Sequence, residues 1–276
     1  DFSSLPWRKS QSADQYFDSF SQLQEYILAG DCYQANLTQR FEVNCSWSKA
    51  DLIAAYASAC EQSTANFSAF FDLGNGNAVA SLSPEQFIEC KDRQITTKPI
   101  KGTVKANGLL TSAQRSELQN TKNKAENLMI VDLLRNDLSK VSKLNSVKVS
   151  ELFNIESYEN VHHLVSTVTS KLRDELSPLE AFIEAFPGGS ITGAPKKRAM
   201  EIIDELELHS RESYCGSVFY IDSNGNLDSN ILIRTIEKQR DKLYCWGGGG
   251  IVADSNAQSE YQESIDKVRH LTGIEH

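Results

Sequence analysis

Nowhere in the 276 residues is there a run of about 18 apolar side chains, the length a membrane-spanning helix needs. No basic region followed by an apolar segment opens the chain, so "DFSSLPWRKS" is not a secretory signal. The first residue is not a methionine, which predicts a fragment of a longer protein. No C-x-x-C pair exists among the cysteines at 32, 45, 60, 90, 215 and 245. Such scatter fits core thiols in a reducing cytosol better than a zinc site or a disulfide framework. Positive charge is in deficit, with 28 Lys and Arg against 37 Asp and Glu, a formal net charge of −9. That balance argues against a nucleic-acid footprint, which would need a basic stripe. It leaves an anionic substrate open, because a metal ion or a few buried arginines reverse the sign locally. Low-complexity linkers and clear repeats are also missing, which predicts a single domain over 1–276.

What is present is ordinary globular composition, 40% hydrophobic and 24% charged. Phe17, Phe20, Leu23, Ile27 and Leu28 form a helical stripe over 14–29 that stops at Gly30. "YQANLTQRFEV" alternates through Ala35, Leu37, Phe41 and Val43 as a strand does. Ser48 and Asp51 occupy the reciprocal capping positions of a second helix. Strands are expected at 67–73 and 78–82 around "GNGN", and a hairpin turning near Asp92 and Arg93. One long helix is expected over 112–140, a strand over 161–170, and helices from Pro178 and from Pro195. A meander over 214–221, 227–238 and 243–246 leads into "GGGG", and the last helix covers 256–271. Hairpins alternating with helices favour α+β with antiparallel sheets.

Several polar residues interrupt this pattern. A hairpin centred near Arg93 sets Glu85 opposite Lys101, an acid facing an amine across two strands. The competing reading is a surface ion pair worth about 0–1 kcal/mol. Glu126 shares a helical line with Ile130 and Leu133, where a buried unpaired charge costs several kcal/mol; a stripe-edge glutamate reaching solvent is the alternative. Glu260 and Glu263 repel at i,i+3 unless a cation lies between them, although the Glu263–Lys267 spacing also allows a plain surface salt bridge. Three glutamates without a His/Cys cluster suit a hard cation such as Mg²⁺.

Strand parity puts Arg234 on the face of Leu232 and Ile236, where a guanidinium needs an anion, either a ligand carboxylate or a structural partner. "GGSITGAP" feeds a helix N-terminus with Ser190 and Thr192 as added donors, and "GGGG" over 247–250 lets a ligand approach backbone. Of His162 and His163 parity sends one inward, and a core histidine is commonly just that.

Taken together, "GDCYQANLTQRF", "SPEQF", "PIKGT", "AENLMIVDLLRNDL", "HHLVS", "GSITGAPKKRAMEII", "DSNILIRT" and "GGGGIVADS…EYQES" resemble the chorismate-utilising enzymes. That family includes anthranilate, isochorismate and aminodeoxychorismate synthases. The resemblance runs from about residue 14 to 271 and implies a four-layer α/β/β/α sandwich with two orthogonally packed, mainly antiparallel sheets. The usual N-terminal segment of the family is absent from this stretch. Lys101 in "PIKGT" stands where anthranilate and isochorismate enzymes carry Ala, and Gln34 stands where isochorismate and salicylate synthases have a water-activating lysine. Both positions point to the aminodeoxychorismate branch, which supplies p-aminobenzoate for folate.

By that resemblance Lys101 is the nucleophile and Glu85 the acid that protonates the leaving hydroxyl. Glu126, Glu263 and Glu260 hold Mg²⁺. Arg234, Tyr214, Gly248, Gly249 and Gly250 bind the enolpyruvyl carboxylate, while Thr192, Gly193, His163 and Gln34 contact the substrate. No glutaminase signature is present, so ammonia is expected from a glutamine amidotransferase partner in the cytoplasm. Anthranilate synthase component I and a non-catalytic chorismate-binding fragment are the alternatives.

Overall fold

The computed structural model describes residues 1–63, 65–106, 108–158 and 161–275. The chain opens with a 3-10 turn (Phe2–Ser4), strand β1 (Arg8–Lys9), helix α1 (Ala13–Ala29), β2 (Gln34–Asn44) and α2 (Lys49–Gln62). Strands β3 (Phe67–Gly74), β4 (Asn77–Ser83), β5 (Gln86–Lys91), β6 (Gln94–Thr97) and β7 (Ile100–Lys105) follow. Helices α3 (Ser112–Leu118) and α4 (Thr121–Ser139) precede β8 (Lys148–Ser157), β9 (Val161–Lys171) and α5 (Pro178–Ala185). After a 3-10 turn (Gly189–Ile191) come β10 (Gly193–Ala194), α6 (Lys196–Leu206), β11 (Phe219–Ile221) and β12 (Leu227–Asn230). The chain ends with β13 (Thr235–Gln239), β14 (Lys242–Ile251), α7 (Ala257–Asp266) and the one-turn α8 (Arg269–Thr272).

Contacts divide the chain into two compact units, neither continuous in sequence. The first comprises Asp1–Ser83, Gly189–Gly216 and Leu232–His276; the second comprises Pro84–Gly188 and Ser217–Ile231. Each is built on its own seven-stranded sheet. In the first unit the order is β1-β2-β14-β13-β4-β3, with β10 added to β2; in the second it is β11-β12-β5-β6-β9-β7, with β8 on β9. The described pairings are antiparallel, so the α+β class read from the sequence holds. Among the described residues no helix is long and apolar enough to cross a membrane.

The core of the first unit follows the alternation in β2. Ala35, Leu37, Phe41 and Val43 are buried with Leu243 and Cys245 of β14, under Tyr16, Phe20 and Leu23 of α1, Ala199, Ile202 and Leu206 of α6, and Ile265 of α7. Burying each large apolar side chain contributes about 1.5–3 kcal/mol. Helix boundaries are set by local signals. Ser12 with Gln15 and Ser48 with Asp51 close reciprocal capping boxes, and Gly30 ends α1 at φ 84°, where only a residue without Cβ is at ease. In the second unit α4 buries Ile130, Val131, Leu134 and Leu138, and Phe87 meets Phe182 edge-on at 5.6 Å.

Two expectations fail for physical reasons, and one strand is unforeseen. The helix expected over 112–140 is two helices, because the Asn120 side chain accepts from the Asn123 amide at 2.8 Å and starts a new one. Strand β8 is not legible in the sequence because it is largely exposed and two register shifts against β9, at Val149–Glu151 and Glu151–Asn154, interrupt its apolar alternation. The strand expected over 227–238 breaks. Strand β12 pairs with β5 in the second unit while β13 pairs with β4 and β14 in the first, and Arg234 at the break has φ 51°.

Candidate functional site

The residues expected to carry the chemistry divide between the units. The second unit holds Glu85, Lys101, Glu126 and His163. Lys101 does not lie in a regular ladder. Ile100 pairs with Val165 and Thr103 with His163, so β7 carries one extra residue against β9 at Lys101–Gly102. Such a bulge re-aims the side chain it holds. Gly102 has φ 85°, and a Cβ there would sit 2.8 Å from Asn123 Nδ2, which donates to the Glu117 and Leu118 carbonyls. The positive φ, reinforced by the Asn123 side chain at the start of α4, favours the glycine of "PIKGT", and the lysine beside it is half-buried.

The ladder pairing inferred for Glu85 and Lys101 is not the observed one. The β5–β6 hairpin joins Glu89 to Thr96, Cys90 to Ile95 and Lys91 to Gln94, and β7 then pairs with β9 instead. Glu85 is buried ahead of β5, its carbonyl accepting from the Ile231 amide at 3.1 Å. His163 is buried, with Nδ1 2.8 Å from Thr103 Oγ1 and its ring 5.7 Å from Tyr158. Tyr158 donates to Glu156 at 2.7 Å, and Lys98 reaches the same carboxylate at 3.0 Å. Burial pushes the Glu156 carboxyl up, but these two hydrogen bonds and the lysine charge outweigh it and hold the group below its ordinary range. Burial, aided by Glu156, pushes the Tyr158 phenol up to about 12. Glu126 is half-buried on α4, with Lys122 Nζ at 3.8 Å.

The first unit holds Gln34, Thr192, Gly193, Tyr214, Arg234, Gly248–Gly250, Glu260 and Glu263. The "GGGG" stretch is not a loop but part of β14, paired with β2 from Gly247↔Gln39 to Gly250↔Asn36. At Gly247 a Cβ would meet the Ser264 carbonyl of α7 at 2.1 Å, so the glycine admits the helix rather than a ligand. At Gly249 it would meet side-chain ends: Glu260 Oε2 at 3.2 Å, Glu263 Oε1 at 3.4 Å and Lys267 Nζ at 3.4 Å. At Gly250 it would meet Gln34 Nε2 at 2.3 Å. Gly193 excludes a side chain as well, with the Gln34 carbonyl 2.2 Å from where its Cβ would be.

The parity argument for Arg234 does not apply, since the residue lies at the strand break; its carbonyl accepts from the Leu82 amide at 3.0 Å. Tyr214 is buried and stacked on Trp246 at 5.9 Å and 9°. Burial raises its phenol well above 10, so it is a neutral O–H donor at physiological pH.

A pair the sequence reading overlooked fixes the loop before α6. The Arg211 guanidinium grips Glu207 through Nε at 2.8 Å and Nη2 at 2.7 Å, and also donates to the Ile191 and Asn36 carbonyls at 2.8 and 2.9 Å. Glu207 accepts in turn from the Thr38 amide and hydroxyl. Because the Asn36 amide donates to the Thr192 carbonyl at 2.8 Å, the pair ties "GGSITG" to β2. No local signal marks the pair, since α6 ends at Leu206 and Glu207 is already extended, so their four-residue spacing is not that of a helix face.

Two carboxylates converging over Gly249, all-oxygen donors on one helix face, fit a hard cation of the Mg²⁺ kind, which takes one or two protein carboxylates and keeps its other positions for water and substrate. Among the described residues no three His, Cys, Asp or Glu side chains form a ready-made cluster.

Fold and site residues together define an α+β protein with two antiparallel sheets, an acidic pair over a glycine strand and a lysine in a strand bulge. The profile of the chorismate binding enzymes matches residues 1–273, and the chain belongs to that family. It is 48% identical over 268 residues to aminodeoxychorismate synthase component 1 of Escherichia coli (strain K12), covering 96% of this chain and 58% of that protein. Identity is 41% to anthranilate synthase component 1 of Pseudomonas aeruginosa, over 96% of this chain and 54% of that one. The crystal structure of anthranilate synthase component I from Streptococcus pneumoniae TIGR4 superposes with a TM-score of 0.87 at 32% identity, covering 98% of this chain and 60% of that one. The chain therefore spans less than two thirds of the length of these relatives.

Proposed function

We propose that the chain converts chorismate and ammonia to 4-amino-4-deoxychorismate through a covalent lysine adduct. Lys101, held half-buried in the β7 bulge beside a glycine that its positive φ favours, is the observation that carries this reading; the 48% identity to a protein named for that reaction supports it. The neutral amine of Lys101 attacks ring C2, both conjugated ring double bonds shift by one position, and the C4 hydroxyl leaves as water with a proton from Glu85. Ammonia then bonds to C4, both double bonds shift back, and the C2–N bond breaks to return the lysine amine as the added nitrogen gives up a proton. Covalent catalysis divides one difficult displacement into two easier ones. A lysine near its ordinary value of about 10.4 is mostly protonated at pH 7, so the scheme requires an amine and an acid tuned toward neutrality.

Arg234 and the neutral phenol of Tyr214 take the enolpyruvyl carboxylate, with Gly248–Gly250 presenting backbone; Thr192, Gly193, Gln34 and His163 contact the ring. Glu263 and Glu260 with Glu126 would hold Mg²⁺, which neutralises the ring carboxylate when bound. The component 1 name of the relatives implies a second component, and a glutamine amidotransferase delivering ammonia is the partner this scheme needs. Six free thiols suit a reducing cytosol.

Product analysis with chorismate, Mg²⁺ and ammonium tests the reading. The native chain forms aminodeoxychorismate, Lys101→Ala does not, and intact-mass measurement finds chorismate minus water on Lys101. Turnover with no adduct on that residue rules out the covalent route. Anthranilate as the product moves the chain to the other branch.

A further inference from the structure

Glu260, Glu263 and Lys267 lie at i, i+3 and i+7 of one helical line that runs down α7 and faces Gly249 of β14. The three side chains end close together. Glu263 Oε1 is 2.7 Å from Lys267 Nζ, and that ammonium donates to the Gly248 carbonyl at 2.8 Å. All three terminal atoms lie within 3.4 Å of the one point where a Gly249 Cβ would be. Ser255 Oγ donates to Glu260 Oε1 at 2.9 Å, which leaves Oε2 as the oxygen turned toward Gly249. The glycine thus makes room for three converging charges, two negative and one positive.

We propose that Lys267 is the resident counter-ion of the Glu260–Glu263 pair, and that a divalent cation binds there by displacing its ammonium. The inference rests on the metal reading given above. Two carboxylates three residues apart on a helix repel each other, and the ammonium held by Glu263 and the strand carbonyl offsets that repulsion in the metal-free chain. A divalent ion on the same oxygens would face a unit positive charge at contact distance, so the lysine must swing away as the ion enters. It can do so, because its side chain is 42% exposed and sits on a flexible stem. The field of the acidic pair is felt locally. The buried Tyr16 hydroxyl is pushed well above its ordinary range, first by burial and then by the charges of Glu260 and Glu263. Lys267 therefore sets a threshold, keeping the site neutralised at low metal concentration and weakening divalent affinity by about 1.5- to fivefold, as expected for a partly exposed ion pair.

The experiment measures Mn²⁺ binding to the chain without chorismate, reading free Mn²⁺ by electron paramagnetic resonance with Mg²⁺ as competitor. Lys267→Gln retains a donor for the Gly248 carbonyl, and Lys267→Met removes both charge and donor. Both bind Mn²⁺ about 1.5- to fivefold more tightly than the native chain, and the glutamine variant gives the answer if the methionine variant folds poorly. Unchanged or weaker binding in Lys267→Gln, with binding still lost in Glu260→Gln and Glu263→Gln, overturns the counter-ion role and leaves the metal assignment standing. Binding unaffected by either glutamate substitution overturns the metal assignment itself, and this inference with it.

Discussion

Replacing Arg211 with Met removes a guanidinium whose side chain is 15% exposed from a carboxylate, Glu207, that is 6% exposed. Five hydrogen bonds go with it, two to Glu207, one each to the Ile191 and Asn36 carbonyls, and one to Cys215 Sγ. Breaking a buried ion pair by deleting one partner costs about 3–5 kcal/mol, because the other charge stays behind uncompensated. Here the Thr38 amide and hydroxyl still serve Glu207, which places the loss near the lower end, about 3 kcal/mol. Adding Glu207→Leu removes the stranded charge. The double variant should then recover about 1–2 kcal/mol, and the two sites should couple by a comparable amount. Urea unfolding at pH 7, followed by near-UV circular dichroism, gives all three free energies. A loss below about 1 kcal/mol in Arg211→Met, or strict additivity in the double variant, would refute the claim that this pair pins the "GGSITG" loop to β2.

Gly247 and Gly249 give a contrasting pair of alanine variants. Gly247→Ala drives a Cβ to 2.1 Å from the Ser264 carbonyl and should cost about 3 kcal/mol, whereas Gly249→Ala meets only side-chain ends and should cost under about 1 kcal/mol while weakening divalent binding; chemical denaturation and Mn²⁺ titration separate the two. Glu156, whose carboxyl is held below 4.5, stabilises the fold above that pH and loses its contribution as the pH falls through its lowered value. Lys98→Met should therefore cost about 1 kcal/mol or less at pH 7, since Lys98 is 41% exposed, and urea midpoints of native and variant chains should converge as the pH falls through the lowered Glu156 value. Burial pushes the Cys215 thiol up to about 11 and the Cys245 thiol up to about 12, so neither should react with iodoacetamide at pH 8 until the chain unfolds, as peptide mapping will show.

Much of this protein is written in short stretches. The α1 stripe with its Gly30 stop, the Ser48–Asp51 capping box and the alternation of β2 are each decided by residues within a turn or two of one another, and each was read correctly. The glycine run is read from sequence as room for a ligand. What approaches at Gly247 is the backbone of α7, a partner that no local rule names.

Sequence by itself determined the α+β class, most element positions and the family to which the chain belongs, because periodicity, caps and motif spacing act over a few residues. Tertiary structure alone decided that the stretch around Arg234 leaves one sheet for another, that Lys101 occupies a bulge, and that Thr38 meets Glu207 across 169 positions of sequence. Those features arise from packing between distant segments, where the cost of a clash or of an unsatisfied charge is set by neighbours that only the folded chain brings together.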